Sequence, residues 1–274
     1  MWGAMKVFEF VPEGMSGCNV KAWLHDYEGV EGITQRNYPA VIVCPGGGYN
    51  HISPRESEPI AIEYYRAGYN TFILTYTVGE GVKGFTPLKQ LATTIAQIRA
   101  NADAWETRPD QIAVCGFSAG GHLACSLGTM FNKEKFLQAF GRTDHIRPDA
   151  MILGYPLILT DENGSSRALR LISGAEPGTE EYHWFGLDQH VDSETPPTFM
   201  WHTVTDPVVP IVNTIKLAEA LSAAKVPFEY HVLPFGGHGL GTCKKEINQT
   251  AYPYNERWME WSIRWLNQLF DYEL

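Results

Sequence analysis

Three residues of this chain have the types and surroundings needed to attack an ester carbonyl. Ser118 sits in Gly116-Phe117-Ser118-Ala119-Gly120, after the apolar run from Ile112 to Cys115 and before a small-residue segment that can continue as a helix. A strand, a one-residue corner and a helix put the serine at the corner with φ > 0, where only small neighbours let strand and helix approach. A G-x-S-x-G string also arises by chance, but chance matches seldom fall between a strand-like and a helix-like run. A serine hydroxyl is a poor nucleophile at neutral pH. It needs a base to take its proton and a third group to hold that base in one tautomer. His238, in Gly236-Gly237-His238-Gly239, and Asp206, in Thr205-Asp206-Pro207, each follow a strand-like run and fit those roles. Asp161, after another such run, is the rival for the acid.

The tetrahedral intermediate needs backbone N–H donors, and Gly46-Gly47-Gly48 after a buried strand can supply them together with the N–H of Ala119. A phosphate cradle is the competing use of such glycines, and this run lacks the lysine and Ser/Thr that a nucleotide loop requires. Among the nine histidines, His202 and His231 fall inside strands and are expected to face the core or a helix layer. His122 lies one turn past Ser118 and is expected beneath the site. His51, His183 and His190 fall in loops near the predicted mouth and are candidate substrate contacts. Tyr49, Tyr182, Trp184, Phe185 and Trp201 could form an aromatic platform beside the site, or could be ordinary packing.

The elements that position these residues follow from periodicity. Lys6 to Phe10 and Val20 to His25 alternate as an opening hairpin. A continuous apolar run at Pro39 to Cys44 reads as a strand covered on both faces and Ala150 to Tyr155 as another buried strand; Asn70 to Tyr76, Ile112 to Cys115 and Thr198 to Thr203 also read as strands, and Phe228 to Leu233 is the last strand. Between them lie a helix near Pro59 to Ala67, one capped by Thr86 with Leu88, Leu91, Ile95, Ile98 and Ala102 inward, and one from about Pro210 to Ala224 with Ile211, Ile215, Ala218 and Leu221 inward. A closing helix from near Asn255 would bury Trp258, Trp261, Trp265 and Leu269. Strict alternation predicts a mostly parallel sheet with helices on both faces and ligands at the carboxyl ends of its strands, where all three reactive residues fall. Residues 160–195 break the rhythm with eight acids against two arginines, and read as an insertion, either a solvated flap or a cap over the site. One domain over 1–274 is the expectation.

A formal net charge of −10 argues against nucleic acid or an anionic membrane as partner. Five scattered cysteines without metal-ligand spacing read as reduced thiols of a cytoplasmic protein, and no metal or cofactor is expected. The first residues have no signal-like apolar stretch, and no apolar run has membrane-spanning length.

Taken together, PGGGY (45–49) with SPRESEP after it, GFSAGGHLA (116–124), TPPTFMWHTVTDPVVP (195–210) and FGGHG (235–239) resemble the bacterial esterase/lipase group of the α/β-hydrolases, closest to acetyl-xylan-esterase-like carbohydrate esterases. The resemblance covers most of the chain and implies Ser118 as nucleophile, Asp206 as acid, His238 as base, and Gly47, Gly48 and Ala119 as oxyanion donors. Related lipases usually carry histidine where this chain has Pro45, so which glycine N–H points inward stays open. The implied activity is hydrolysis of short, chiefly acetyl, esters of sugars or xylan fragments, with Tyr49, His51, Trp184 and Trp201 as candidate substrate contacts. The expected partner is a small acyl ester, with homo-oligomerisation left open. A lipase would normally bring an apolar lid helix, and an oligopeptidase a further large domain; neither is seen. A non-catalytic binding module of the same fold would be expected to lack part of this machinery.

Overall fold

The computed structural model describes residues 5–27, 37–142, 145–160 and 167–272. Eight strands form one sheet in the order β1-β2-β4-β3-β5-β6-β7-β8. β1 (Lys6–Phe10) and β2 (Asn19–Leu24) are the expected hairpin, and β2 also pairs antiparallel with β4 (Asn70–Thr75). From β4 onward, through β3 (Tyr38–Cys44), β5 (Thr107–Phe117), β6 (Ala150–Gly154), β7 (Thr198–Thr203) and β8 (Phe228–Leu233), every pairing is parallel.

Side chains along the strands alternate between the two faces of the sheet, as a two-residue period requires. In β3, Ala40, Ile42 and Cys44 join the layer that holds α2 (Thr86–Ala100), α3 (Ala119–Met130) and α7 (Val212–Ala223). Val41 and Val43 face the other layer, with α1 (Glu58–Arg66) and α8 (Arg257–Phe270). Because β3 is followed by β4 on one side and β5 lies on its other side, the chain reverses its winding there. That switch point opens a crevice at the carboxyl ends of β3 and β5. The glycine loop leaves β3 and Ser118 leaves β5 at this place.

Two helices bury a different face from the one expected. In α7 the inward residues are Asn213, Thr214, Leu217 and Leu221, while Ile215 is exposed. The reason is hydrogen bonding: Asn213 Oδ1 accepts the N–H groups of Ile158 and Leu159, both at 2.9 Å, and Thr214 Oγ1 lies 3.0 Å from His202 Nδ1. In α8 the buried stripe is Trp258, Met259, Ser262, Leu266 and Phe270; Leu269 is exposed, and Ser262 Oγ lies 2.8 Å from the Tyr64 hydroxyl. Thr86 is the first residue of α2 rather than its cap, and its hydroxyl donates back to Lys83 O.

Within the segment expected to be an insertion, α4 (Glu134–Phe140) precedes it and α5 (Arg167–Ser173) and α6 (Glu180–His183) belong to it. Leu169, Ile172, Tyr182, Phe185 and Leu187 are buried in the α2–α3–α7 layer, which is not how a solvated flap packs. Asp161 lies outside the described residues. All five cysteines are free and buried, and among the described residues no helix is long and apolar enough to cross a membrane.

Candidate active site

The corner after β5 is the tight turn that its small residues allow. Ser118 has φ 52 and ψ −119, between the last residue of β5 and the first of α3. A non-glycine residue held there costs about 1–3 kcal/mol and persists only when its surroundings fix it. Ser118 N–H donates to Gly154 O at 3.1 Å, and Ser118 O accepts from His122 N–H at 2.9 Å and Leu157 N–H at 3.2 Å. A Cβ at Gly116 would lie 2.2 Å from Gly120 O, and one at Gly120 would lie 2.1 Å from Cys44 O. Both glycines are therefore dictated by backbone packed against backbone.

The loops after β7 and β8 bring two more side chains to this corner. Ser118 Oγ lies 2.8 Å from His238 Nε2, and His238 Nδ1 lies 2.7 Å from Asp206 Oδ2. An ionised carboxylate only accepts, so Nδ1 carries the hydrogen of the neutral imidazole and Nε2 accepts from the serine hydroxyl. Asp206 Oδ1 accepts the N–H groups of Val208 and Val209 at 2.8 and 3.0 Å. Burial by itself raises this carboxyl's pKa, but hydrogen bonds from His202, His238 and Val208 N–H outweigh it and hold the pKa well below the usual carboxylate range. Thr203 and Thr205 hydroxyls both donate to Gly236 O, which ties the acid loop to the histidine loop.

Backbone N–H groups flank the serine. The N–H of Gly46 is taken by Glu56 Oε2 at 2.9 Å, but among the described residues no protein acceptor is found for the N–H groups of Gly47, Gly48 and Ala119. Gly47, at φ 126, leaves no room for a side chain, since a Cβ would lie 2.0 Å from His51 O. Where related lipases carry histidine, Pro45 offers its carbonyl to the Tyr76 hydroxyl at 2.6 Å.

Two cavities meet at Ser118. The larger, about 650 Å³, is walled by polar groups that include His51, Arg55, Glu56, Arg167 and His238. The smaller, about 170 Å³, is closed by Ala119, Leu157, Ala168, Val208 and Val209. Gly48, Ser118, Ala168 and Val208 line both. An ester with its carbonyl carbon at Ser118 Oγ thus has a narrow recess bordered by aliphatic side chains on one side, and on the other a wider trough reached by charged and polar side chains.

Residues 31–221 match the BD-FAE family model. The chain belongs to the BD-FAE family. It is 36% identical over 210 residues, 76% of this chain and 33% of the other, to endo-1,4-beta-xylanase B of Butyrivibrio fibrisolvens. Among solved structures it is similar to MGS-M1, an alpha/beta hydrolase enzyme from a Medee basin deep-sea metagenome, at 31% identity and TM-score 0.80, with 99% of this chain and 100% of that one covered. An acetyl ester-xyloside bifunctional hydrolase from Caldicellulosiruptor lactoaceticus superposes at TM-score 0.79 and 30% identity, covering 98% of this chain and 97% of that one. The fold is that of the α/β-hydrolases. The chain spans about a third to a half of the length of the curated relatives it matches.

In this BD-FAE chain the residues proposed from sequence as substrate contacts divide. His51 lines the larger cavity. Tyr49 does not present itself to a ligand: it is 1% exposed, and its hydroxyl donates to His122 Nδ1 at 2.9 Å. Trp201 is fully buried in β7 and stacks on Trp258 with ring centroids 5.1 Å apart, on the sheet face that α8 covers. Trp184 lies against Phe85, with Lys135 Nζ over its ring, and lines neither cavity. An aromatic sugar platform is therefore not formed from these residues, because the core needed them first. His183 and His190 likewise line neither cavity at Ser118; His190 Nε2 donates to Trp184 O at 2.7 Å. His122 is beneath the elbow as expected, its Nε2 donating to Phe185 O at 3.0 Å, and burial pushes its pKa down to about 4. Sequence reasoning missed Arg55, Glu56, Arg167 and Val208 as cavity walls. Only the SPRESEP string carried a signal for the first two, and composition gives no reason to single them out within it.

Proposed function

We propose that this chain is a serine carboxylesterase that removes short acyl groups, chiefly acetyl, from sugars or xylan fragments through an acyl-enzyme. The observation that carries this reading is the continuous line of hydrogen bonds from Ser118 through His238 to Asp206, 2.8 and 2.7 Å long, at the junction of a small recess and a larger trough.

His238 Nε2 takes the Ser118 proton as Oγ bonds to the acyl carbon, and the carbonyl π electrons move onto oxygen. The N–H groups of Ala119, Gly47 and Gly48 stabilise that oxyanion; one such donor is typically worth 100- to 1,000-fold in kcat. Collapse of the intermediate breaks the bond to the alcohol oxygen, which leaves with the proton from His238. Water, deprotonated by the same histidine, then attacks the ester of Ser118, the carboxylic acid departs and the proton returns to Oγ. Asp206, held ionised, fixes the tautomer and stabilises the imidazolium. The recess takes the acyl group and the trough the alcohol. The relatives support the substrate class by the names they carry, a xylanase and an acetyl ester-xyloside hydrolase.

Acyl length tests the reading. A lipid-binding groove would gain about 0.8 kcal/mol per buried methylene, so the four added between butanoyl and octanoyl would give roughly 3 kcal/mol, on the order of a hundredfold in kcat/KM. The recess closed by Leu157 and Val209 predicts the opposite: p-nitrophenyl acetate is turned over at least as well as the octanoate, and acetylated xylobiose releases acetate. A steep rise toward the octanoate with no acetate released would overturn the carbohydrate reading.

A further inference from the structure

The reaction above makes no use of a carboxyl group at the floor of the larger cavity. Glu56, the last residue of the short turn Pro54–Glu56, is 2% exposed, and no ion pair involves it among the described residues. Its two oxygens are committed to different loops: Oε2 accepts the Gly46 N–H at 2.9 Å, and Oε1 accepts the Tyr155 hydroxyl at 2.7 Å. The Tyr155 oxygen accepts in turn from Gly241 N–H at 2.9 Å. One buried side chain thus joins the loop after β3, the loop after β6 and the loop after β8.

Both ends of this line reach the groups that react. Gly46 immediately precedes Gly47 and Gly48. It has no room for a side chain, since a Cβ there would lie 2.6 Å from Glu56 Oε2 and 2.9 Å from Phe117 O. Tyr155 stands with its ring at 66° to that of His238, centroids 5.0 Å apart. Its backbone is held at φ 37, a strained value for a side chain of this size, by N–H donation to Trp201 O and by the hydroxyl bonds just described. A well-packed apolar side chain would fill the same space without the cost of burying a carboxyl group. What the carboxyl adds is a fixed spacing between two donors on separate loops.

We propose that Glu56 is a positioning residue which, through Gly46 on one side and Tyr155 on the other, holds the oxyanion loop and His238 in register with Ser118. The inference rests on the reading of Ser118 and His238 as the reacting pair. A glutamine at 56 keeps the shape but turns one of the two acceptors into a donor facing a donor, while Tyr155→Phe cuts only the link to the histidine loop. Misplacement of a reacting group by about an ångström can cost on the order of a hundredfold.

Steady-state kinetics with p-nitrophenyl acetate on Glu56→Gln, Tyr155→Phe, the double variant and Ser118→Ala test this, each chain checked by circular dichroism. The expected results are a kcat lowered about 10- to 100-fold in Glu56→Gln with KM within about twofold, a smaller fall in Tyr155→Phe, and a double variant no worse than Glu56→Gln alone. A folded Glu56→Gln with kcat within twofold of wild type would overturn the positioning role while an inactive Ser118→Ala leaves the serine reading standing. Activity retained in Ser118→Ala would instead remove the reading beneath it. If Glu56→Gln does not fold, Tyr155→Phe decides: a kcat at least fivefold down at unchanged KM supports the line of bonds, and an unchanged kcat overturns it.

Discussion

Asp206 does several jobs with two oxygens, and its substitution separates them. Oδ2 faces His238 while Oδ1 ties down the Val208 and Val209 N–H groups. Asp206→Asn keeps the volume but offers an amide hydrogen where Nδ1–H needs an acceptor, so the imidazole is driven to the wrong tautomer. A fall in kcat on the order of 10⁴-fold is expected for p-nitrophenyl acetate. A loss under tenfold would mean that the acid is elsewhere. The carboxyl's depressed pKa fixes a sign as well. Its stabilising contribution is complete above the ordinary carboxylate value and is lost as pH falls from there toward the folded value, so Asp206 stays ionised through the neutral and mildly acid range. Activity lost between pH 7 and 5 then does not report protonation of Asp206.

At the level of elements, the parts legible in the sequence are those where composition and burial coincide. Strands covered on both faces must be apolar throughout, so β3 and β6 stood out as continuous runs, and the turns after β3, β7 and β8 located Gly46, Asp206 and His238. Helix faces were less legible because apolar periodicity cannot see a polar residue that is buried with its partners made. Asn213 and Thr214 turn inward on α7 and displace Ile215 to the surface; Ser262 does the same on α8. Aromatic residues misled for a related reason, since Tyr49 and Trp201 have the surface area to be drawn into the core. The Asn213 bonds carry a prediction. Asn213→Ala leaves the Ile158 N–H without its acceptor, at about 1–3 kcal/mol for a buried group left unpaired. Urea unfolding should show about 1–3 kcal/mol lost, together with a KM change for acetyl esters through Leu157 beside it. A loss below 0.5 kcal/mol would mean that water or a neighbour replaces the amide.

For the whole molecule, the helix layer that holds α3 is joined to the site by a group that responds to pH. His122 links the glycine loop, through Tyr49, to Phe185 in the segment packed over α3. Burial lowers its pKa to about 4, while the bond to Phe185 O opposes the fall. The unfolded chain takes up this proton near pH 6.5, so acid favours unfolding. The stabilisation is complete above about pH 6.5 and declines as the pH drops toward 4, by about 2 kcal/mol at pH 5. Thermal melts should show a lower Tm at pH 5 than at pH 7, and His122→Gln should narrow that gap; an unchanged gap would place the acid sensitivity elsewhere. The account as a whole turns on Ser118 being the nucleophile, and a serine-reactive fluorophosphonate with peptide mapping of the adduct reads this directly. The expected result is one adduct per chain, on Ser118, formed in step with loss of esterase activity and absent from Ser118→Ala. An unlabelled chain that still hydrolyses p-nitrophenyl acetate, or an adduct on any other residue, would contradict it.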